Sequence, residues 1–179
     1  MMDFKIFEKI KKNKFEFISL LLIGVVSIFL RFTDLGFHHY YGDEVKTLFL
    51  RKDKSAFDFL MEQRKGPIQF LIVWVTEKLS GGFDEFYIRI PFAVFGVLLV
   101  YIFYYFVRVT LNYNRNISLF STILVALNGI YIAFSRTAQY QMVYLVFGFL
   151  SLILFKKFLD ESAKFKRIIF FSLATFFLP

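Results

Sequence analysis

Two adjacent carboxylates, Asp43 and Glu44, follow the first long apolar run of the chain. A carboxylate at a bilayer surface can act as a general base on a polar acceptor while its reaction partner stays dissolved in the lipid. We therefore take Asp43 and Glu44 as candidate catalytic residues. For Asp43, a structural role as a helix N-cap is the alternative.

Three basic residues, Lys65, Arg89 and Arg136, are candidates for holding an anionic group. Arginine forks bind phosphate through two parallel hydrogen bonds, and a lysine adds a third cation. The alternative for these side chains is anchoring at the membrane interface. Cations that stabilise a leaving phosphate, with a base that activates a hydroxyl, would suffice to move a sugar from a lipid phosphate to an acceptor.

The composition indicates an integral membrane protein. Hydrophobic residues make up 58% of the chain and the mean hydropathy is +0.58, against about 45–50% apolar residues in soluble domains. The net charge of +8 lies in short clusters between apolar runs, a pattern that favours membrane topology over nucleic-acid binding.

The absence of cysteine excludes disulfides, thiolate catalysis and cysteine-based metal sites. His38 and His39 are adjacent, so they lack the one-turn spacing that places two ligands on one helical face. We expect no cofactor, while a divalent cation at Asp43 and Glu44 stays open.

The apolar runs predict an all-α membrane protein with about five transmembrane helices in a single membrane domain, residues 1–179. Short interfacial helices are expected in the first outer loop, where Ser55 to Asp58 has the capping-box pattern. The predicted bounds are 1–14 for a cytoplasmic tail, 15–32 for the first span, 33–86 for the outer loop, 87–107, 117–134 and 142–155 for the next spans, and 168–179 for a partial span.

Loop charges predict which face carries the candidate residues. The apolar segment 66–80 is shorter than the ~20 residues that a span needs. If it does not cross, the basic clusters at 108–115 and 156–167 lie in the cytoplasm, as the positive-inside rule requires. The five candidate residues then share the opposite face.

Four short motifs, at matching order and spacing between about Arg31 and Leu154, resemble the N-terminal part of a known enzyme family. These are the polyprenyl-phosphate-sugar-dependent glycosyltransferases of the GT-C class, related to protein O-mannosyltransferases and aminoarabinose transferases. The first motif is Gly42-Asp43-Glu44, similar to the acidic pair of the first outer loop, and the second is Lys65-Gly66-Pro67-Ile68, similar to an [HK]-P-P-L patch. The third is Arg89-Ile90-Pro91-Phe92 with Gly96, which opens the second span. The fourth is Ser135-Arg136-Thr137-Ala138-Gln139-Tyr140-Gln141, in the second outer loop.

The chain departs from the family pattern at four of these positions. Gly66 and Ile68 replace a proline and a leucine of the second motif. Gln139 and Gln141 stand where family members carry a second basic residue and, in some cases, an acid. The departures leave the lysine and the two arginines in place.

The resemblance implies a chemistry for these residues. Asp43 would be the general base of an inverting transfer, and Lys65, Arg89 and Arg136 would face the phosphate of a polyprenyl-phosphate sugar donor. The acceptor would be a lipid, a glycan or a protein of the cell envelope.

The resemblance also implies a setting. The protein would be a multi-pass protein of the cell membrane, in contact with membrane lipids and not nucleic acid, with its active site on the extracytoplasmic face. The chain would form the N-terminal portion of a GT-C fold.

The alternative is a truncated, non-catalytic GT-C-like protein or a fragment that needs its missing C-terminal part. A small transporter or scaffold is a third hypothesis, but the cores of the spans are almost free of charge.

Overall fold

The structure, a computed structural model, describes residues 13–48, 55–62 and 67–177. Every regular element in these ranges is a helix, so the predicted all-α class is confirmed. The elements are α1 (Lys14–Phe32), a 3₁₀ helix (Gly42–Thr47), α2 (Ala56–Met61), α3 (Pro67–Ser80), α4 (Glu85–Tyr105), a π-helical segment (Phe106–Thr110), α5 (Arg115–Leu127), α6 (Gly129–Ser135), α7 (Gln141–Asp160) and α8 (Lys164–Phe176).

Within the described ranges, three helical stretches are long and apolar enough to cross a membrane: α1, α4 with its π-helical extension, and α7. The pair α5 and α6 makes a fourth if it forms one bent span. The sequence predicts about five spans, and the fifth apolar run corresponds to α8. At 13 residues, α8 is shorter than the ~20 residues that a straight span needs. The chain is a multi-pass all-α membrane protein.

Polar N-cap residues set the starts of most helices. A side-chain oxygen at the N-cap accepts a hydrogen bond from a first-turn N–H that otherwise has no partner. The predicted capping pattern at Ser55 is confirmed, because its Oγ accepts from the N–H of Asp58 at 3.1 Å. The same role falls to Asn13 for α1, Asp84 for α4, Asn114 for α5 and Asn128 for α6.

The predicted span 117–134 is interrupted at Asn128, where α5 and α6 meet at 57°. The side chain of Asn128 accepts from the N–H of Tyr131 at 3.1 Å and so begins a new helix. Gly129 follows, and glycine weakens a continuous helix. An asparagine that caps and a glycine that follows it together explain the break.

Helix α4 lies at the centre of the bundle and packs against α1, α3, α5, α6 and α7. A buried apolar cluster at its N-terminal end joins it to the 3₁₀ helix, to α3 and to α7. The members of this cluster are Leu48, Val73, Ile88, Phe92, Ala138 and Val143. Burial of such side chains contributes roughly 1.5–3 kcal/mol each. The cluster therefore stabilises the N-terminal end of α4, where the polar site residues lie.

A buried arginine and a glycine fix the contact between α1, α4 and the broken helix pair. Arg31 is fully buried, and its Nη1 donates to Ser27 Oγ at 2.8 Å and to the carbonyl of Ala126 at 3.3 Å. Gly96 lies against it. A Cβ at position 96 would lie 2.4 Å from the Cβ of Ser135 and 2.9 Å from Nε of Arg31.

This close approach predicts that Gly96→Ala destabilises the bundle. Because the neighbours are a side chain near its backbone and a buried arginine, the added methyl should lower the free energy of unfolding by about 1–3 kcal/mol. The measurement is reversible unfolding in mixed detergent micelles. Gly148→Ala in α7 is the matched control, since nothing lies within 4 Å of its added Cβ. Equal stability of the two variants would contradict the packing described here.

Candidate active site

Glu44 is the most fully bonded acid at the N-terminal end of α4. Its side chain is 1% exposed. Oε1 accepts from Nε of Arg89 at 2.9 Å and from the N–H of Ala138 at 2.7 Å. Oε2 accepts from Nη2 of Arg89 at 2.9 Å and from the N–H of Tyr41 at 3.1 Å. A carboxylate has about four acceptor positions, and Glu44 uses four.

Arg89, on the first turns of α4, is bonded as fully as Glu44. Beyond its fork to Glu44, Nη1 donates to the carbonyls of Leu35 at 3.1 Å and His38 at 2.7 Å. Nη2 also donates to the carbonyl of His39 at 3.2 Å. These bonds engage all five N–H groups of the guanidinium. Arg89 therefore holds residues 35–39, which follow α1, against α4 through three backbone carbonyls.

The pair of Glu44 and Arg89 is shielded from solvent. Arg89 is 4% exposed, and its guanidinium lies 5.5 Å from the ring centre of Tyr40. Burial, and after it the negative charge of Glu85, raises the pKa of the Tyr40 phenol above its ordinary value. The hydroxyl of Tyr40 is buried with no hydrogen-bond partner among the described residues. Among the described residues, Oε1 of Gln141 is likewise buried without a partner, so a ligand or water can satisfy either group.

Glu44 also fixes the loop between α6 and α7, through Ala138. The N–H of Ala138 donates to Glu44, and its carbonyl accepts from Nε2 of Gln69 at 2.5 Å. Gln69, on α3, is 2% exposed. Because both polar groups of Ala138 are held by buried side chains, the loop that follows Arg136 has a defined position relative to α3 and α4.

Arg136 lies beside the end of α1 and is half-buried. Its Nη1 and Nη2 donate to the carbonyls of Leu30 and Asp34, both at 3.4 Å. These distances exceed the usual 2.7–3.2 Å of an N–H···O bond. Arg136 is therefore held more loosely than Arg89, and its guanidinium can turn toward an anion at modest cost.

Asp43 has different surroundings from Glu44, although the two are adjacent. Residues in a 3₁₀ helix are about 120° apart around its axis, so neighbouring side chains diverge. Glu44 points inward, whereas Asp43 accepts from Nζ of Lys46 at 2.8 Å and its side chain is 29% exposed. Gly42, with φ of 56°, supplies the left-handed turn that starts this helix.

The structure brings four of the five predicted site residues to one end of the bundle. Asp43, Glu44, Arg89 and Arg136 lie there, and Lys65 lies outside the described residues. The alternative role of Asp43 as an N-cap is not observed, because the 3₁₀ helix begins at Gly42 with Tyr41 as its N-cap. It is Glu44 whose carboxylate accepts the N–H of the N-cap residue.

Several residues that shape this site were not predicted from the sequence. Gln69 and Ala138 are uncharged, so neither was a candidate, although Ala138 lies within the fourth motif. Tyr40 was one of many aromatic residues. The sequence carries no signal for the burial of Gln69 either, because the helical spacing places it off the apolar stripe of α3. Among the described residues, no cluster of three or more acidic or histidine side chains could hold a metal ion.

The helices and the polar end of α4 define a polytopic membrane protein with a buried ion pair beneath a partly exposed carboxylate. Residues 58–178 match the family model described as dolichyl-phosphate-mannose-protein mannosyltransferase. The chain belongs to this family of GT-C glycosyltransferases, and the resemblance found in the sequence is confirmed. Neither the curated proteins nor the solved structures provided a match.

The two carboxylates should differ in their effect on stability. Glu44→Gln leaves a buried arginine without its counter-charge and is expected to lower the free energy of unfolding by about 3–5 kcal/mol. Asp43→Asn changes a side chain that is 29% exposed and pairs with Lys46, so a change within about 1 kcal/mol is expected. Detergent-titrated unfolding of both variants checks this. A larger loss of unfolding free energy in Asp43→Asn than in Glu44→Gln would contradict the assignment of Glu44 as the buried, stabilising carboxylate.

Proposed function

We propose that the chain acts as a membrane glycosyltransferase that moves a sugar from a polyprenyl-phosphate donor to an acceptor hydroxyl, with Asp43 as the general base. The family supplies the reaction class. The observation that carries the assignment within the acidic pair is the difference in bonding. Glu44 is committed to four hydrogen bonds, whereas Asp43 is partly open to solvent.

The proposed step is a single displacement at the anomeric carbon. Asp43 takes the proton of the acceptor hydroxyl as the acceptor oxygen bonds to the anomeric carbon. The bond from that carbon to the phosphate oxygen breaks, and the lipid phosphate leaves with the electron pair. A direct displacement inverts the anomeric centre and needs one essential carboxylate, unlike the two that a glycoside hydrolase uses.

The phosphate contacts are proposed for Arg136 and Lys65. Arg136 has long, weak bonds to two carbonyls and can form the forked contact that arginine makes with phosphate. The phosphate contact predicted for Arg89 would require that it give up bonds to Glu44 or to the segment after α1. We therefore propose that Arg89 acts through Glu44, by holding the 3₁₀ helix that carries Asp43.

Substitution of the proposed base tests the chemistry. Asp43→Asn should reduce sugar transfer by about 10²–10⁴-fold, the usual effect of removing a general base, while the protein still inserts and folds. The measurement is transfer of labelled sugar from a polyprenyl-phosphate donor in membranes that contain the chain.

Asp84→Asn is the matched control for this assay. It makes the same substitution in the same outer segment, and asparagine caps a helix about as well as aspartate, so transfer should persist. Near wild-type transfer in Asp43→Asn would exclude Asp43 as the base.

The extracytoplasmic position of the site is also proposed, and the loop charges support it. The chain contains no cysteine, so single cysteines can report the topology. Glu77→Cys should react with an impermeant thiol reagent in intact cells, whereas Arg115→Cys and Lys164→Cys should react only after permeabilisation. Labelling of position 115 or 164 without labelling of position 77 would reverse the orientation.

A further inference from the structure

The opposite end of the bundle, far from Asp43, contains a polar cavity of about 360 Å³. It is lined by Asn13, Glu16, Arg108, Asn114, Arg115 and Asn116. The proposed transfer reaction uses none of these residues. Two arginines and three asparagines around one cavity provide many N–H donors, which is the chemistry that binds an oxyanion.

The one acid of this cavity is already neutralised. Glu16 is 2% exposed, and its Oε1 accepts from the hydroxyl of Tyr104 and from Nε of Arg108 at 3.1 Å. Arg108 also donates to the carbonyl of Tyr113 at 3.0 Å. Arg108 is therefore held in place by the fold, and Glu16 does not cancel the charge of the second arginine.

Arg115 supplies that second positive charge. Its guanidinium lies 5.1 Å from the ring centre of Phe15, and its Nε makes a long 3.4 Å contact with Asn116. Among the described residues its terminal nitrogens donate no hydrogen bond. An arginine stacked on a ring with its fork unused is well placed to take a phosphate.

Two helices also begin at this cavity. Asn13 and Asn114, which line it, are the N-caps of α1 and α5, of 19 and 13 residues. The N-terminus of each helix carries a partial positive charge and first-turn N–H groups. Both helix ends therefore add to the attraction that the arginines exert on an anion.

The sides of α1 and α5 next to the cavity are apolar and exposed. Phe15 is 62% exposed, Ile18 54%, Ile117 47% and Phe120 64%. In a membrane protein such side chains face the acyl chains. A ligand that fits both the polar cavity and these apolar helix sides has an anionic head and apolar chains.

We propose that this cavity binds the phosphate headgroup of an anionic phospholipid. The fork of Arg115 and the first turn of α5 contact the phosphate. The ion pair of Arg108 and Glu16 forms the inner wall of the cavity. The acyl chains lie along Phe15 and Phe120. Basic pockets between membrane helices on the cytoplasmic side are known to hold anionic headgroups. The site is independent of the proposed glycosyl transfer.

Native mass spectrometry of the full chain, titrated with phosphatidylglycerol or phosphatidylcholine in detergent, tests the proposal. Arg115→Gln should weaken binding of the first phosphatidylglycerol by about tenfold, the loss of one charge-assisted contact. Arg115→Lys, which keeps the charge and loses the fork, should fall between wild type and Arg115→Gln. Arg167→Gln is the matched control, because Arg167 also stacks on a ring, that of Phe158 at 5.0 Å, and has the same charge.

The lipid site is supported if phosphatidylglycerol binds more tightly than phosphatidylcholine and only Arg115→Gln loses this preference. Equal binding of the two lipids, or equal losses in Arg115→Gln and Arg167→Gln, would overturn it. Competition by inorganic phosphate at the same concentration as the lipid would assign the cavity to a soluble anion, and the lipid proposal would then be wrong.

Discussion

The ion pair between Glu44 and Arg89 is the constraint on which the end of the bundle that carries Asp43 depends. Removing two charges from water costs several kcal/mol for each ion, and here the forked contact and five further hydrogen bonds offset that cost. Those bonds cross up to 94 residues of sequence. The ion pair therefore fixes the positions of the segment after α1 and of the loop after α6 relative to the start of α4.

This constraint gives two neighbouring carboxylates separate roles. The 3₁₀ helix directs Glu44 into the pair and leaves Asp43 facing the surface beside Lys46. A similar pair lies at the other end of α4, where Arg108 meets the buried Glu16. Helix α4 thus connects two ionic clusters through an apolar core. Arg31 lies between them and holds α1 against the broken helix pair through carbonyl oxygens.

Much of this arrangement could be predicted from local sequence. The apolar runs predicted the all-α class, the motif order predicted the family, and Ser55 predicted a helix start. The inward direction of Glu44 could not be predicted, because it depends on Arg89 and on the N–H of Ala138, both distant in sequence. The break at Asn128 had a local signal in the asparagine and glycine pair, but the long apolar run around it favoured one continuous span. The burial of Arg31 could not be predicted either, because the sequence shows only that this residue lies at the end of the first predicted span.

A double-mutant cycle on Glu44 and Arg89 tests the central claim most directly. Glu44→Gln, Arg89→Gln and the double variant are compared with the wild type by reversible unfolding in mixed micelles. If the pair organises this end of the bundle, the second substitution should cost far less in the presence of the first, with a coupling energy of about 2–3 kcal/mol. Additive losses, with coupling near zero, would show that the two residues stabilise the protein independently and would contradict this account.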